Sequence, residues 1–251
     1  PDGATYWVVV DSTTVAPSAG FNAGYLGTDV WAEQTYGAAG AFCANGVGGT
    51  ASRATPGACY GGRTDAASDA AGTLLTAEHV NRADLFGGVT GVDFGFSFNT
   101  VTSTRGGNGA DDDGAGTGRT VQGSVPQFLQ NANAVAGVNA MRFVPVGLPN
   151  DGTLSWWRVA VTTGLPAIVD ADTTVDGTAF ELADGTTPRN TNSGHLGYNA
   201  TGGATVGVAF FTAGVGLVAG AKAGAGAISS VGTAMTSTSA AAASSRRPSL
   251  K

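Results

Sequence analysis

At 251 residues the chain is long enough for one large or two ordinary domains with a real core. Charged residues make up 12%, against 41 glycines and 42% hydrophobic residues. This is the profile of an all-β extracellular or fibrous protein, and it argues against both a typical cytosolic enzyme and a Gly-rich disordered chain. A net charge of −6, a pI near 4.7 and lysines only at Lys222 and Lys251 argue against nucleic-acid binding, which needs clustered cations.

The sequence begins at Pro1 with neither Met nor a signal-peptide pattern, and is read as a processed form, a fragment or an incomplete sequence. Its first stretch, "GATYWVVVDST", sets Tyr6, Val8 and Val10 against Trp7 and Val9. β-Branched and aromatic residues in alternation predict a strand over residues 5–11. Short strands and frequent glycines follow. Cys43 and Cys59 bracket the loop "CANGVGGTASRATPGAC". A disulfide there would contribute roughly 3 kcal/mol and imply an oxidising compartment; the alternative is two free thiols. Two Cys and two distant His are too few for a metal site.

Residues 76–83, "TAEHVNRA", read equally as a helical turn or a strand. In "GVTGVDFGFSFNTVTST" alternation returns, with Val92, Phe94, Phe96 and Phe98 on one side, which predicts a core face. The polar stretch "RGGNGADDDGAGTG" at 105–118 is the expected linker between two domains.

A helix is predicted over residues 124–136. Ser124 is the N-cap, Gln127 completes an S-x-x-Q capping box and Pro126 lies in the tolerant first turn. Val125, Phe128, Leu129, Ala132 and Val135 or Ala136 form one apolar face, and Gly137 is a natural stop. Strand-like segments then recur at "AMRFVPV", "WWRVAVTT" and "TTVDGTAF". Such spacing fits a β-solenoid or a sandwich. From residue 201 the chain turns to Gly, Ala, Val, Ser and Thr. "TVGVAFFTAGVGLVAGA" is too short and too rich in glycine for a membrane span. A tail of this kind normally frays, so a neighbouring subunit is expected to hold it.

The segment "GSVPQFLQNANAVAG-VNAMRFVP", with the later "WWRVAVTTGLPAIVDADTTVDGTAF", resembles bacterial secreted right-handed parallel β-helix surface proteins. In these a "GSLRQAI..AN" helix precedes an "I.F" strand and a later "LP.I.....T.IDG". The resemblance spans residues 99–180 and implies that the helix caps the open end of a β-helix. Val125 and Pro126 stand where the family usually has Leu and Arg, and a low-complexity tail replaces its further rungs near Val206. Upstream, "GATYWVVVDS" and "VTGVDFGFSF" resemble the last strands of a Cna or Sdr-type B-repeat β-sandwich. Some members of that group carry a Lys-Asn isopeptide, which is ruled out here before Lys222 for lack of lysine.

Several residues are weighed for chemistry. Asp111 and Asp113 would fill positions three and five of a Ca²⁺ loop, but Gly109 and Thr120 occupy positions one and twelve, so a solvated acidic turn is the competing reading. Asp170, Asp172 and Asp176 are tested as glycosidase carboxylates against turn formation through backbone bonds. His79 and His195 belong to no nucleophile motif and read as loop or surface histidines. Alternation exposes one of Trp156 and Trp157, which would serve for sugar stacking or a subunit contact.

The expected architecture is all-β. A β-sandwich-like domain (1–104), a linker (105–118), a short β-helix-like domain with its capping helix (119–204) and a tail (205–251) follow one another. The expected function is that of a structural, non-enzymatic subunit of a secreted bacterial extracellular filament or surface layer, polymerising with copies of itself by strand addition. Tyr6, Trp7, Val8, Val9 and Val10, with Val206, Val208 and Phe210 in the tail, are the expected assembly residues. The alternatives are a carbohydrate-binding adhesin module using Trp156 or Trp157 on a polysaccharide and, further off, a β-helix polysaccharide lyase or hydrolase. Bound Ca²⁺ is the one cofactor considered.

Overall fold

In the computed structural model the protein is built mostly of strands joined by turns, with one α-helix among the described residues. Those residues are 3–44, 50–63, 77–85, 88–103, 105–106, 119–148, 157–161, 164–189, 208–212 and 215–219.

Up to residue 97 strand pairing is antiparallel. β1 (Ala4–Val10) runs against β6 (His79–Leu85), from Ala4 opposite Leu85 to Val10 opposite His79. β2 (Glu33–Gly37) lies between β5 (Gly57–Ala58) and β7 (Phe94–Ser97). β3 (Phe42–Ala44) pairs with β4 (Thr50–Ser52). The ambiguous segment 76–83 thus contributes to a strand, in which buried His79, Asn81 and Ala83 oppose exposed Arg82 and Asp84. The phenylalanine row is only partly a core face. Phe94 and Phe96 stack at 6.3 Å but stay half-buried, while Phe98 packs on Val30, Ala134 and Val135. Cys43 and Cys59 are joined in a disulfide, with their Cα atoms 5.0 Å apart.

Beyond residue 99 the pairing becomes mainly parallel. β8 (Thr100–Val101) pairs with β11 (Arg142–Phe143), and Phe143 also bridges Ala179 in parallel. β10 (Asn139–Ala140) pairs with β13 (Thr173–Thr174). β9 (Arg105–Gly106) and β14 (Val208–Thr212) flank β12 (Trp157–Val161), both in parallel. β15 (Val215–Ala219) then adds antiparallel to β14. The expected linker therefore begins with a strand. β8, on the first-domain side of that linker in sequence, pairs with a strand from the second side.

Helix α1 (Val125–Ala134) starts as expected: Ser124 Oγ accepts from the Gln127 N–H at 3.3 Å, with Pro126 in the first turn. The reciprocal half of the capping box is replaced. Gln127 Oε1 accepts from the Thr120 N–H at 2.8 Å, and its Nε2 donates to Asn131 at 2.9 Å. The helix ends earlier than the expected 136 because Val135 bridges Phe21 and the Ala136 N–H donates to Gly20 at 3.1 Å. Contacts with the N-terminal loop thus take the place of a last turn.

One side of α1 is apolar: Val125, Phe128, Leu129 and Ala132 pack with Val101, Met141, Phe143, Trp157, Val159 and Ala179. The other side is polar but equally buried, which an amphipathic pattern does not foretell. Asn131 accepts from the Trp31 N–H at 2.9 Å and donates to the carbonyls of Trp31 (2.8 Å) and Phe98 (2.9 Å). Asn133 donates to Ala167 at 2.7 Å and accepts from Val169 at 2.8 Å. Arg119, just upstream, donates to Val30 (2.7 Å), Gly27 (2.7 Å) and Thr13 (3.1 Å). The helix thus joins the antiparallel and parallel halves. One junction is made by apolar burial, the other by side chains that satisfy loop backbone.

Candidate functional site: an exposed apolar edge strand

β1 forms where six consecutive aromatic and β-branched residues, Thr5 to Val10, come soon after Gly3, whose φ of 84° turns the chain into the strand. Asp11 ends it by capping the next turn, accepting from the Thr13 N–H at 3.0 Å. Tyr6, Trp7 and Val8 are 38%, 42% and 37% exposed; because neighbouring side chains point to opposite faces, both faces of β1 carry exposed apolar surface. Trp7 stacks on Phe42 at 5.6 Å, and the Arg63 guanidinium lies 5.8 Å from the centre of that second ring. Among the described residues β6 is the only strand paired with β1. Its other edge thus offers backbone N–H and C=O groups for pairing.

β6 is a firm support for this edge. His79 is fully buried; its Nδ1 lies 2.9 Å from Gln34 Oε1 and its Nε2 3.1 Å from Gln122 Nε2. Gln34 Nε2 donates to the carbonyls of Phe42 (3.1 Å) and Cys59 (3.3 Å), so its Oε1 faces His79 as acceptor. His79 therefore carries its proton on Nδ1 and accepts at Nε2. Gln122 also donates to Ser12 Oγ at 2.9 Å, and that oxygen receives the Trp31 indole N–H at 2.7 Å. Burial lowers the His79 pKa to about 3, against the smaller opposing effect of the Gln122 hydrogen bond. Asn81, two residues on, donates to Ala39 at 3.1 Å. This polar chain runs from Trp31 to the disulfide behind β1. The expectation of a loop or surface histidine is corrected for His79; His195 lies outside the described residues.

The tail behaves differently from β1. Val208 and Phe210 lie in β14, which is paired on both sides, with Trp157 opposite Val208, Val159 opposite Phe210, and β15 along its other edge. A strand with both edges occupied cannot cross to a neighbour without leaving its own sheet. The expectation that this strand crosses between subunits is corrected for Val208 and Phe210; Val206 lies outside the described residues. Among the described residues β15 is an edge strand of that sheet.

The chain matches no protein-family model, no curated protein and no solved structure. Its own geometry therefore carries the functional argument.

Trp157 is 0% exposed. Its indole donates to Gly147 at 2.9 Å, Phe143 meets its ring edge-on and the Arg189 guanidinium lies 4.6 Å from its centre. Trp157 is thus a core residue, which corrects its candidacy as a sugar platform; Trp156 lies outside the described residues, as do Asp111 and Asp113. Asp170 and Asp176 act as turn formers, accepting from the N–H groups of Asp172 (3.1 Å) and Thr178 (2.9 Å). No motif marks Asp184, whose pKa is held at about 2 by the Thr187 hydroxyl and the Thr187 and Thr186 N–H groups. Among the described residues no group of three or more His, Cys, Asp or Glu could hold a metal ion. No described helix is long and apolar enough to cross a membrane.

Proposed function

We propose that this protein is a structural subunit of a secreted bacterial extracellular filament or surface layer, assembling through β-strand addition between copies of itself. The observation that carries this reading is β1, an uncharged apolar strand with exposed residues on both faces and one edge unpaired among the described residues. Monomeric proteins blunt such edges with charge, proline or a bulge, and β1 has none of these within its seven residues. The disulfide supports secretion, since such bonds persist in oxidising compartments.

Two finer readings of the fold belong to this proposal. The parallel ladders, with the apolar face of α1 packed on their shared cluster, support a short β-solenoid with α1 as its lid, in line with the β-helix surface-protein resemblance. The antiparallel sheets before residue 98 support a sandwich-like first unit of B-repeat type. The proposed role has no catalytic step.

The test is negative-stain electron microscopy of the full chain and of its Trp7→Lys/Val8→Lys variant. Both side chains are exposed, so charge there leaves the β1–β6 pairing in place, whereas deleting residues 1–11 would uncover β6. Filaments or layers from the native chain, and none from a folded variant, are expected. Unchanged polymer in the variant would overturn the proposal.

A further inference from the structure

We infer that the edge of β1 left unpaired among the described residues pairs antiparallel with the same edge of a second copy, about a two-fold axis passing beside Trp7. This rests on the assembly reading above and gives it a geometry. Trp7 is the central residue of the seven-residue strand. Pairing centred there sets Ala4 opposite Val10, Thr5 opposite Val9, Tyr6 opposite Val8 and Trp7 opposite its own copy, so the whole strand is used. Shifting the centre to Tyr6 or Val8 shortens the ladder. Cross-strand aromatic and β-branched pairs are the favourable ones in antiparallel sheets, worth roughly 0.2–1 kcal/mol each. Tyr6 and Val8, which this register brings together, have matching exposure.

Charge points to the same partner. The chain carries −6 in total, so two copies repel across most of their surfaces. β1 itself adds nothing to that repulsion, and the charge beside its Trp7–Phe42 stack is the Arg63 cation. β1 has no charged residue, and on β6 Arg82 and Asp84 lie 3.5 Å apart and neutralise each other, while His79 is buried and neutral. A self-complementary patch of this kind makes an isologous contact, and β15, an edge strand among the described residues, offers a second edge through which a two-fold pair could extend into a longer assembly.

Cysteine cross-linking of the full chain tests the register. Under mild oxidation Trp7→Cys should form a reducible covalent dimer. A mixture of Thr5→Cys and Val9→Cys chains, which keeps Trp7 in place, should cross-link, whereas Thr5→Cys alone and the exposed control Val138→Cys should form no covalent dimer. Sedimentation of the native chain runs alongside. Self-association of the native chain without either cross-link overturns the two-fold register and leaves the assembly reading standing. A native chain that stays monomeric at all concentrations overturns both. So does a monomer retained on a polysaccharide column through Trp7, since the edge then serves carbohydrate.

Discussion

Trp7 and Trp157 sit in strands of similar apolar character, yet one is 42% exposed and the other fully buried. Among the described residues β1 has a single partner, whereas β12 lies between β9 and β14 and its tryptophan is enclosed by Phe143 and Arg189. Apolar alternation therefore establishes that a segment is a strand. Whether that strand is an edge or a centre depends on which distant segments arrive beside it, and here that decides which one can meet another molecule.

The comparison breaks most readily at the two tryptophans. Trp157→Ala should cost about 3–5 kcal/mol in chemical denaturation, the range for a large buried aromatic. Trp7→Ala should stay within about 1 kcal/mol while weakening self-association. Similar losses from both would contradict the contrast. Removing the disulfide by Cys43→Ser/Cys59→Ser should cost about 3 kcal/mol. Hydrogen exchange should show that loss in β2 and β3 more than in the parallel ladder of β8 and β11.

The support behind β1 should respond to acid. The folded pKa of His79 lies below its unfolded value, so its stabilising contribution is complete above about pH 6.5 and declines as pH falls toward 3, where the unfolded chain binds the proton first. That single group should remove about 2 kcal/mol between pH 6.5 and 5. His79→Gln, which keeps one donor and one acceptor, should flatten the slope of stability against pH over that interval; an unchanged slope would mean that His79 does not titrate as described. The smallest effect concerns the helix joining the two halves: Ser124→Ala should cost about 1 kcal/mol, read as a lowered thermal midpoint.

Much of the local structure was legible in the sequence. The β1 alternation, the disulfide and the Ser124 cap all follow from nearest-neighbour chemistry. The partners of Val208 and Phe210 were not, because parallel pairing of β14 with β12 joins segments about fifty residues apart and leaves no local signal. The buried network was equally hidden. Gln34, His79 and Gln122 come from three distant segments, and each alone looks like an ordinary surface residue. Asn131 is hidden in another way: on a helical wheel it belongs to the polar face, and only the arrival of the loop at Trp31 makes that face an interior one. The expected linker at 105–118 rests on composition, which carries no signal for the parallel pairing of β8 with β11 and of β9 with β12.

The most direct test of β1 as the assembling edge is hydrogen exchange as a function of protein concentration. Amides of β1 that face away from β6 should exchange rapidly in dilute solution and gain protection as copies associate. Those of β14 should be protected at every concentration, because both of its edges are filled within one chain. Concentration-independent exchange in β1, or protection of β14 that appears only on association, would contradict the assignment.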